Sequence, residues 1–167
     1  MLLAFSFAVA SGVFVQQVLF VFLGVLLFVL VFLRKTTFSR FLRKVSRVSY
    51  GEFFFVFGVM IALLITGGAT HLFQLSMVVL ALAVPFAFIL GMQYGAHEYA
   101  VRGELRSFEG SVACGLISAG IFLMFGYSIV FACIAGVILA VVEAFSCRGS
   151  DNFSLPLTTV LLAFFFS

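Results

Sequence analysis

Two short polar segments carry most of the residues that could take part in chemistry. The first is RSFEGSVACG at residues 106–115, which places a guanidinium, a carboxylate, two hydroxyls and a glycine close together. A helix that begins here would present unpaired N–H groups and a partial positive charge, and this combination binds anions. A helix cap beside an interfacial arginine would use the same residue types. The candidate phosphate-binding residues are Arg106, Ser107, Glu109, Gly110 and Ser111.

The second segment is CRGSDNFSLP at residues 147–156, and it follows an apolar run that contains a carboxylate near its end. A carboxylate at membrane depth is costly and therefore indicates function. Carboxylate and amide oxygens are ligands that Mg²⁺ takes when it is shared with substrate phosphates. Asp and Asn are equally common where a turn caps the next helix. The candidate metal ligands are Glu143, Asp151 and Asn152.

The elements that must position these segments are apolar helices. Of the 167 residues, 65% are hydrophobic, whereas about half is usual in soluble proteins. Apolar runs of about 18 residues or more are typical of transmembrane helices. The pattern predicts an all-α, polytopic transmembrane bundle of about six spans, in a single membrane domain over residues 1–167. The predicted spans are 2–33 (one span or two), 51–66, 72–92, 110–126, 128–146 and 153–167.

The charged residues predict the orientation. The nine basic and six acidic side chains all lie in or beside three stretches, 34–50, 93–109 and 147–152. Successive spans reverse the chain, so these stretches should share one face, and the positive-inside rule makes that face cytoplasmic. We therefore expect an integral, multi-pass membrane protein whose active face is cytoplasmic.

Small residues at four-residue spacing predict helix packing rather than phosphate loops. They occur in GMQYG at 91–95 and at Ala132, Gly136 and Ala140. The motifs of soluble nucleotide-binding enzymes, GxxxxGK[ST], HRD and DFG, are absent. What is present suits phosphoryl transfer to a membrane alcohol: a cation and a helix N-terminus for phosphate, and carboxylates for magnesium.

The two motifs together resemble the membrane family of CTP-dependent lipid-alcohol kinases, which includes dolichol kinase, phytol kinase and the yeast-type diacylglycerol kinase. Its members typically show a Lys/Arg-Ser-x-Glu-Gly-Ser segment, then Glu and Asp-Asn before an apolar-Pro pair. RSFEGSVA (106–113) and DNFSLP (151–156) match this order, and the similarity covers roughly residues 34 to 160. The chain departs at GAHEYAVRGELR (95–106), where the family usually carries an Asp-containing helix; here Glu98 is the candidate replacement.

The resemblance implies an enzyme that transfers a phosphoryl group from a nucleotide, CTP, to an isoprenoid alcohol such as dolichol, polyprenol or phytol. Mg²⁺ would be the cofactor, and Asp151 or Glu98 would accept the hydroxyl proton. The expected partners are the lipid alcohol, a nucleotide triphosphate and membrane lipids, without nucleic acid. Two alternatives remain open: a diacylglycerol kinase or cytidylyltransferase of the same membrane class, and a non-catalytic small transporter or scaffold.

Overall fold

The computed structural model describes residues 24–25, 51–67 and 69–166. Gly24 and Val25 are helical, and the rest of the predicted span 2–33 and the stretch 34–50 lie outside the described residues. The described part of the chain is helical, as predicted, with one β hairpin that the apolar pattern did not predict. In chain order the elements are α1 (Gly51–Thr66), α2 (Thr70–Tyr94), β1 (Glu98–Val101), β2 (Glu104–Ser107), α3 (Phe108–Met124), α4 (Ile129–Phe145) and α5 (Asp151–Phe165).

The described helices give limited support to the predicted spans. With 25 residues, α2 is the one helix among them that is both long and apolar enough to cross a membrane. The other four are apolar but have 15 to 17 residues, whereas a core of about 30 Å needs about 20. The prediction of about six spans is therefore not supported by helix length in the described part of the chain.

The helices pack into one bundle with apolar residues on both the inside and the outside. α3 packs against α2 and α4, while α5 packs against α1 and α2. Leu75, Phe122 and Leu139 are fully or nearly fully buried between these helices. Large apolar side chains such as Leu116 and Val130 are exposed on the outer surface. Helices that are apolar all round belong in a protein core or in lipid.

Glycines let two helix pairs approach at the level of their backbones. A Cβ atom on Gly136 of α4 would lie 2.5 Å from the carbonyl oxygen of Gly115 in α3, and a Cβ on Gly115 would lie 2.9 Å from that of Gly136. A Cβ on Gly58 of α1 would lie 2.6 Å from the carbonyl oxygen of Asn152 in α5. Within α5 this carbonyl receives no hydrogen bond from residue 156, because Pro156 has no N–H. The predicted packing role of Gly136 is confirmed.

The hairpin of β1 and β2 lies between α2 and α3, with Tyr99 opposite Arg106 in its antiparallel register. Its two turn residues, Arg102 and Gly103, have φ angles of 48° and 86°. Two consecutive positive φ angles are typical of a type I′ turn, whose twist matches that of the strands. The segment between α4 and α5 turns in the same way, with φ angles of 53° at Arg148 and 85° at Gly149.

These two turns contact each other at one end of the bundle. The backbone N–H of Arg148 donates to the Glu104 carboxylate over 3.1 Å. The stretches 93–109 and 147–152 therefore share an end, as predicted. His71 lies at the opposite end, with its ring centroid 5.1 Å from that of Phe125.

Candidate active site

Arg106 is the centre of the charged cluster at the hairpin end of the bundle. Arg106 extends from β2 toward the C-terminal end of α4 and the start of α5, and its guanidinium forms an ion pair with Glu143. A second guanidinium nitrogen lies 3.7 Å from a carboxylate oxygen of Asp151. The side chains of Arg106 and Asp151 are 16% and 14% exposed. The structure thus brings together residues from both sequence motifs.

Glu143 is buried near the end of α4, and both of its carboxylate oxygens have partners. One is paired with Arg106, and the other accepts a hydrogen bond of 2.7 Å from the Ser111 hydroxyl. The Ser111 hydroxyl also lies 2.7 Å from the phenol oxygen of Tyr99. A buried charge is tolerated only where it is paired and hydrogen-bonded. This network explains how an apolar helix can carry Glu143.

Ser107 caps α3, and glycines make room for it. Its hydroxyl oxygen accepts a hydrogen bond of 3.1 Å from the N–H of Gly110. A Cβ atom on Gly91 would lie 2.6 Å from that hydroxyl, and one on Gly110 would lie 2.8 Å from the carbonyl oxygen of Ala87. The capping interpretation of Ser107 is therefore confirmed, while its role in binding phosphate stays a prediction.

Glu109 fixes the approach of the hairpin to α3. It lies in the first turn of α3, at the polar end of the helix, and accepts hydrogen bonds from the ring Nδ1 of His97 (2.8 Å) and from the His97 backbone N–H (3.2 Å). The side-chain hydrogen bond of His97 is the main reason that the pKa of Glu109 is lowered to about 2. Glu109 is thus held as a carboxylate at the base of the hairpin.

A cavity of about 500 Å³ lies beside the charged cluster. Its polar lining includes the side chains of Glu98 and Glu104 from the hairpin together with Arg106, Glu143 and Asp151. Of the four carboxylates, those of Glu143 and Asp151 lie beside the Arg106 guanidinium. The predicted site residues that line this cavity are Glu98, Arg106, Ser107, Gly110, Glu143 and Asp151. Glu109, Ser111 and Asn152 are outside its lining.

Asp151 and Asn152, the first two residues of α5, make different contacts. Asp151 is the first residue of the helix, and one of its carboxylate oxygens accepts a hydrogen bond of 3.0 Å from the N–H of Asn152. The side-chain amide of Asn152 donates to the carbonyl of Gly51 over 3.3 Å and so ties α5 to α1. Ser150, rather than either of them, occupies the cap position. Asp151 faces the cavity, while Asn152 serves packing.

The carboxylates at the cavity suit a metal ion that is shared with substrate phosphates better than one bound by protein side chains alone. Among the described residues, no three His, Cys, Asp or Glu side chains lie close enough to bind an ion. Mg²⁺ is usually held by one or two carboxylates and by substrate phosphates. Asp151 and Glu143 supply carboxylate oxygens of this kind at the cavity wall. The metal-binding roles of Glu143, Asp151 and Asn152 stay predictions.

Tyr99 and Glu104 belong to the site but were not identified from the sequence. Tyr99 contacts Ser111, and Glu104 both lines the cavity and binds the backbone of Arg148. The missed signal is the pair Arg102-Gly103 between two four-residue segments, which is compatible with a tight hairpin. That hairpin is what places Tyr99 opposite Arg106.

The comparisons with known proteins agree with the motifs. The chain is 31% identical over 134 residues to the phytol kinase of Synechocystis sp.; the alignment covers 73% of this chain and 57% of that protein. The chain thus spans a little over half the length of this relative. No protein-family model and no solved structure matches this chain. Together with the two motifs, this similarity to phytol kinase shows that the chain belongs to the lipid-alcohol kinase family.

Proposed function

We propose that this protein transfers a phosphoryl group from a nucleotide, CTP, to the hydroxyl of an isoprenoid alcohol such as phytol, dolichol or polyprenol. The observation that carries the proposal is the cavity at the hairpin end, where Arg106 meets Asp151 and Glu143 beside apolar residues of α2. The similarity to a phytol kinase supports the same reaction class. Phosphoryl transfer is catalysed mainly by positioning and by electrostatic stabilisation, and charged groups round an apolar cavity can supply both.

Each charged residue and helix end at the cavity has its own role in this proposal. Arg106 has five N–H donors, so it can contact phosphate oxygens while it keeps Glu143 neutralised. The N-terminus of α3, with Gly110 at the cavity wall, offers its partial positive charge to the same phosphates. Asp151 or Glu98 accepts the proton of the attacking hydroxyl.

Magnesium belongs to the proposal as the cofactor. Asp151 and Glu143 would hold it together with the nucleotide phosphates, and Glu143 would then share its carboxylate between the ion and Arg106. When bound, Mg²⁺ neutralises the charge that develops on the phosphates. The role of Asn152 would be indirect, because its amide holds the start of α5 against α1.

We also propose that the bundle is a multi-pass membrane domain of about six spans with its charged end in the cytoplasm. The length and apolarity of α2 support a spanning helix, and the shorter helices are apolar throughout. Their exposed outer side chains, including Leu116, Val130 and Phe164, suit contact with lipid. The three charged stretches set the orientation under the positive-inside rule.

The test is a transfer assay with purified protein in lipid bicelles, using CTP labelled at either the γ- or the α-phosphate. Phytol, a polyprenol, dolichol and diacylglycerol are the acceptors, with magnesium present and ATP as the competing donor. The proposal predicts γ-label in an isoprenoid alcohol. Transfer of the α-label would indicate a cytidylyltransferase, and transfer to diacylglycerol alone would indicate the related kinase. Absence of all transfer by folded protein would favour the transporter or scaffold.

A further inference from the structure

The cavity extends away from the charged cluster as a groove along one face of α2. The helix residues in its lining recur at intervals of three and four positions, so they form a single stripe. From the first to the last of them the helix rises about 12 Å, at about 1.5 Å per residue. These residues are Val84, Ala87, Phe88, Gly91 and Met92, and Gly95 lines the cavity just after the helix ends.

The shape of the groove comes from side-chain size. Small residues, Ala87 and Gly91, form its floor, because α2 lies close to Ser107 and Gly110 there. The large residues Phe88 and Met92, which are 65% and 72% exposed, form the side of the groove. Leu105 of the hairpin, 68% exposed, lines the same cavity near its charged end. An apolar trough therefore opens directly from the charged cluster.

Resting on the proposed function, we propose that this groove holds the hydrocarbon chain of the alcohol substrate and that Val84 limits the chain length it accepts. The charged end can receive the hydroxyl and the phosphates, but it cannot stabilise a hydrocarbon tail. One molecule that carries a hydroxyl and a long apolar chain fills both parts of one cavity.

Two alcohols with the same allylic hydroxyl but different chain lengths, prenol and phytol, test the role of Val84. Val84→Phe places a bulky ring at the far end of the groove, beyond the reach of prenol. We expect kcat/KM for phytol to fall about tenfold or more relative to prenol, which is the scale on which apolar pockets discriminate. The matched control is Leu116→Phe, on an exposed position of α3 outside the cavity lining, which should leave the ratio unchanged. An unchanged ratio in Val84→Phe would overturn the role of Val84.

A second measurement needs neither a variant nor turnover. A phytol analogue with a diazirine at the end of its chain is photolysed with the wild-type protein in bicelles, and the labelled peptides are identified by mass spectrometry. Label on 84–92 that excess phytol suppresses is the expected result. Label spread over outer positions such as Leu161 and Phe164, without competition, would overturn the groove. If label appears on 84–92 but no alcohol is phosphorylated, the kinase assignment fails and the groove stands.

Discussion

Arg106 and Glu143 form an ion pair across 37 positions of sequence and thereby join the hairpin to the end of α4. Glu143 is the more buried partner, with a side chain that is 7% exposed. Asp151 lies on the other side of the guanidinium. The pair is thus both a structural contact and the floor of the proposed phosphate site, and these two roles can be separated.

Removal of Arg106 should destabilise the fold as well as abolish activity. Arg106→Ala leaves the Glu143 carboxylate buried without its cation, and such a loss costs about 3–5 kcal/mol. The free energy of unfolding by denaturant in detergent micelles measures the effect. Arg102→Ala is the matched control, since Arg102 is exposed at the hairpin turn and should change stability by less than about 0.5 kcal/mol. Equal effects of the two substitutions would contradict the structural role of the pair.

Asp151→Asn should lower the kinase activity without changing the stability of the fold. The variant keeps an oxygen that can accept the N–H of Asn152, so insertion and unfolding midpoint should be close to those of the wild type. It loses the charge that faces the cavity, and we expect lipid-alcohol kinase activity to fall by at least about a hundredfold.

The control for Asp151→Asn is Glu52→Gln, which removes an exposed carboxylate from the first turn of α1. Its activity should match that of the wild type. Activity of Asp151→Asn within a few-fold of the wild type at saturating magnesium would show that Asp151 serves only the start of α5.

Two glycines of α3 should respond oppositely to alanine. Gly115→Ala places a methyl group 2.9 Å from the Gly136 carbonyl oxygen and should cost about 1–3 kcal/mol, because α4 would have to move. Gly120→Ala meets no atom within 4 Å and should gain up to about 1 kcal/mol through helix propensity. Unfolding in micelles measures both, and a stabilising Gly115→Ala would show that α3 and α4 are further apart than described.

Cysteine labelling tests the orientation. With the three native cysteines replaced, Arg102→Cys at the hairpin turn should react with an impermeant maleimide only after the membrane is opened. Thr70→Cys, at the opposite end of α2, should react from outside in intact cells. The stretch 34–47 is expected to behave like Arg102. External labelling of the hairpin turn would reverse the proposed orientation.

Apolar patterning predicted the helices closely, because each is a continuous hydrophobic run that ends in turn or polar residues. The predicted span 72–92 corresponds to α2 (Thr70–Tyr94), and 128–146 corresponds to α4 (Ile129–Phe145). The hairpin was missed because its strands have only four residues each and lie in a stretch where charge hides the alternation.

The sequence predicted most of the polar residues that line the cavity, but not the apolar ones or the internal hydrogen-bond partners. Arg106, Glu143 and Asp151 could be identified by residue type and order, since phosphoryl transfer needs cations and carboxylates. That Glu143 would bind Ser111, and that Asn152 would bind Gly51, depends on the packing of elements distant in sequence. No local pattern encodes those contacts.

The hairpin also fixes where the water boundary must lie. A two-stranded ribbon pairs only the inner N–H and C=O groups of its strands, so groups on its outer edges face away from the ladder. Hydrocarbon offers them no partner, whereas water and lipid headgroups do. In the proposed orientation, the strands at Tyr99 and Arg106 therefore sit in the headgroup layer, and Val84 is immersed below them. Spin labels should report this gradient: a water-soluble nickel complex should relax a label at Arg102 more strongly than one at Val84, and the reverse order would place the hairpin inside the hydrocarbon.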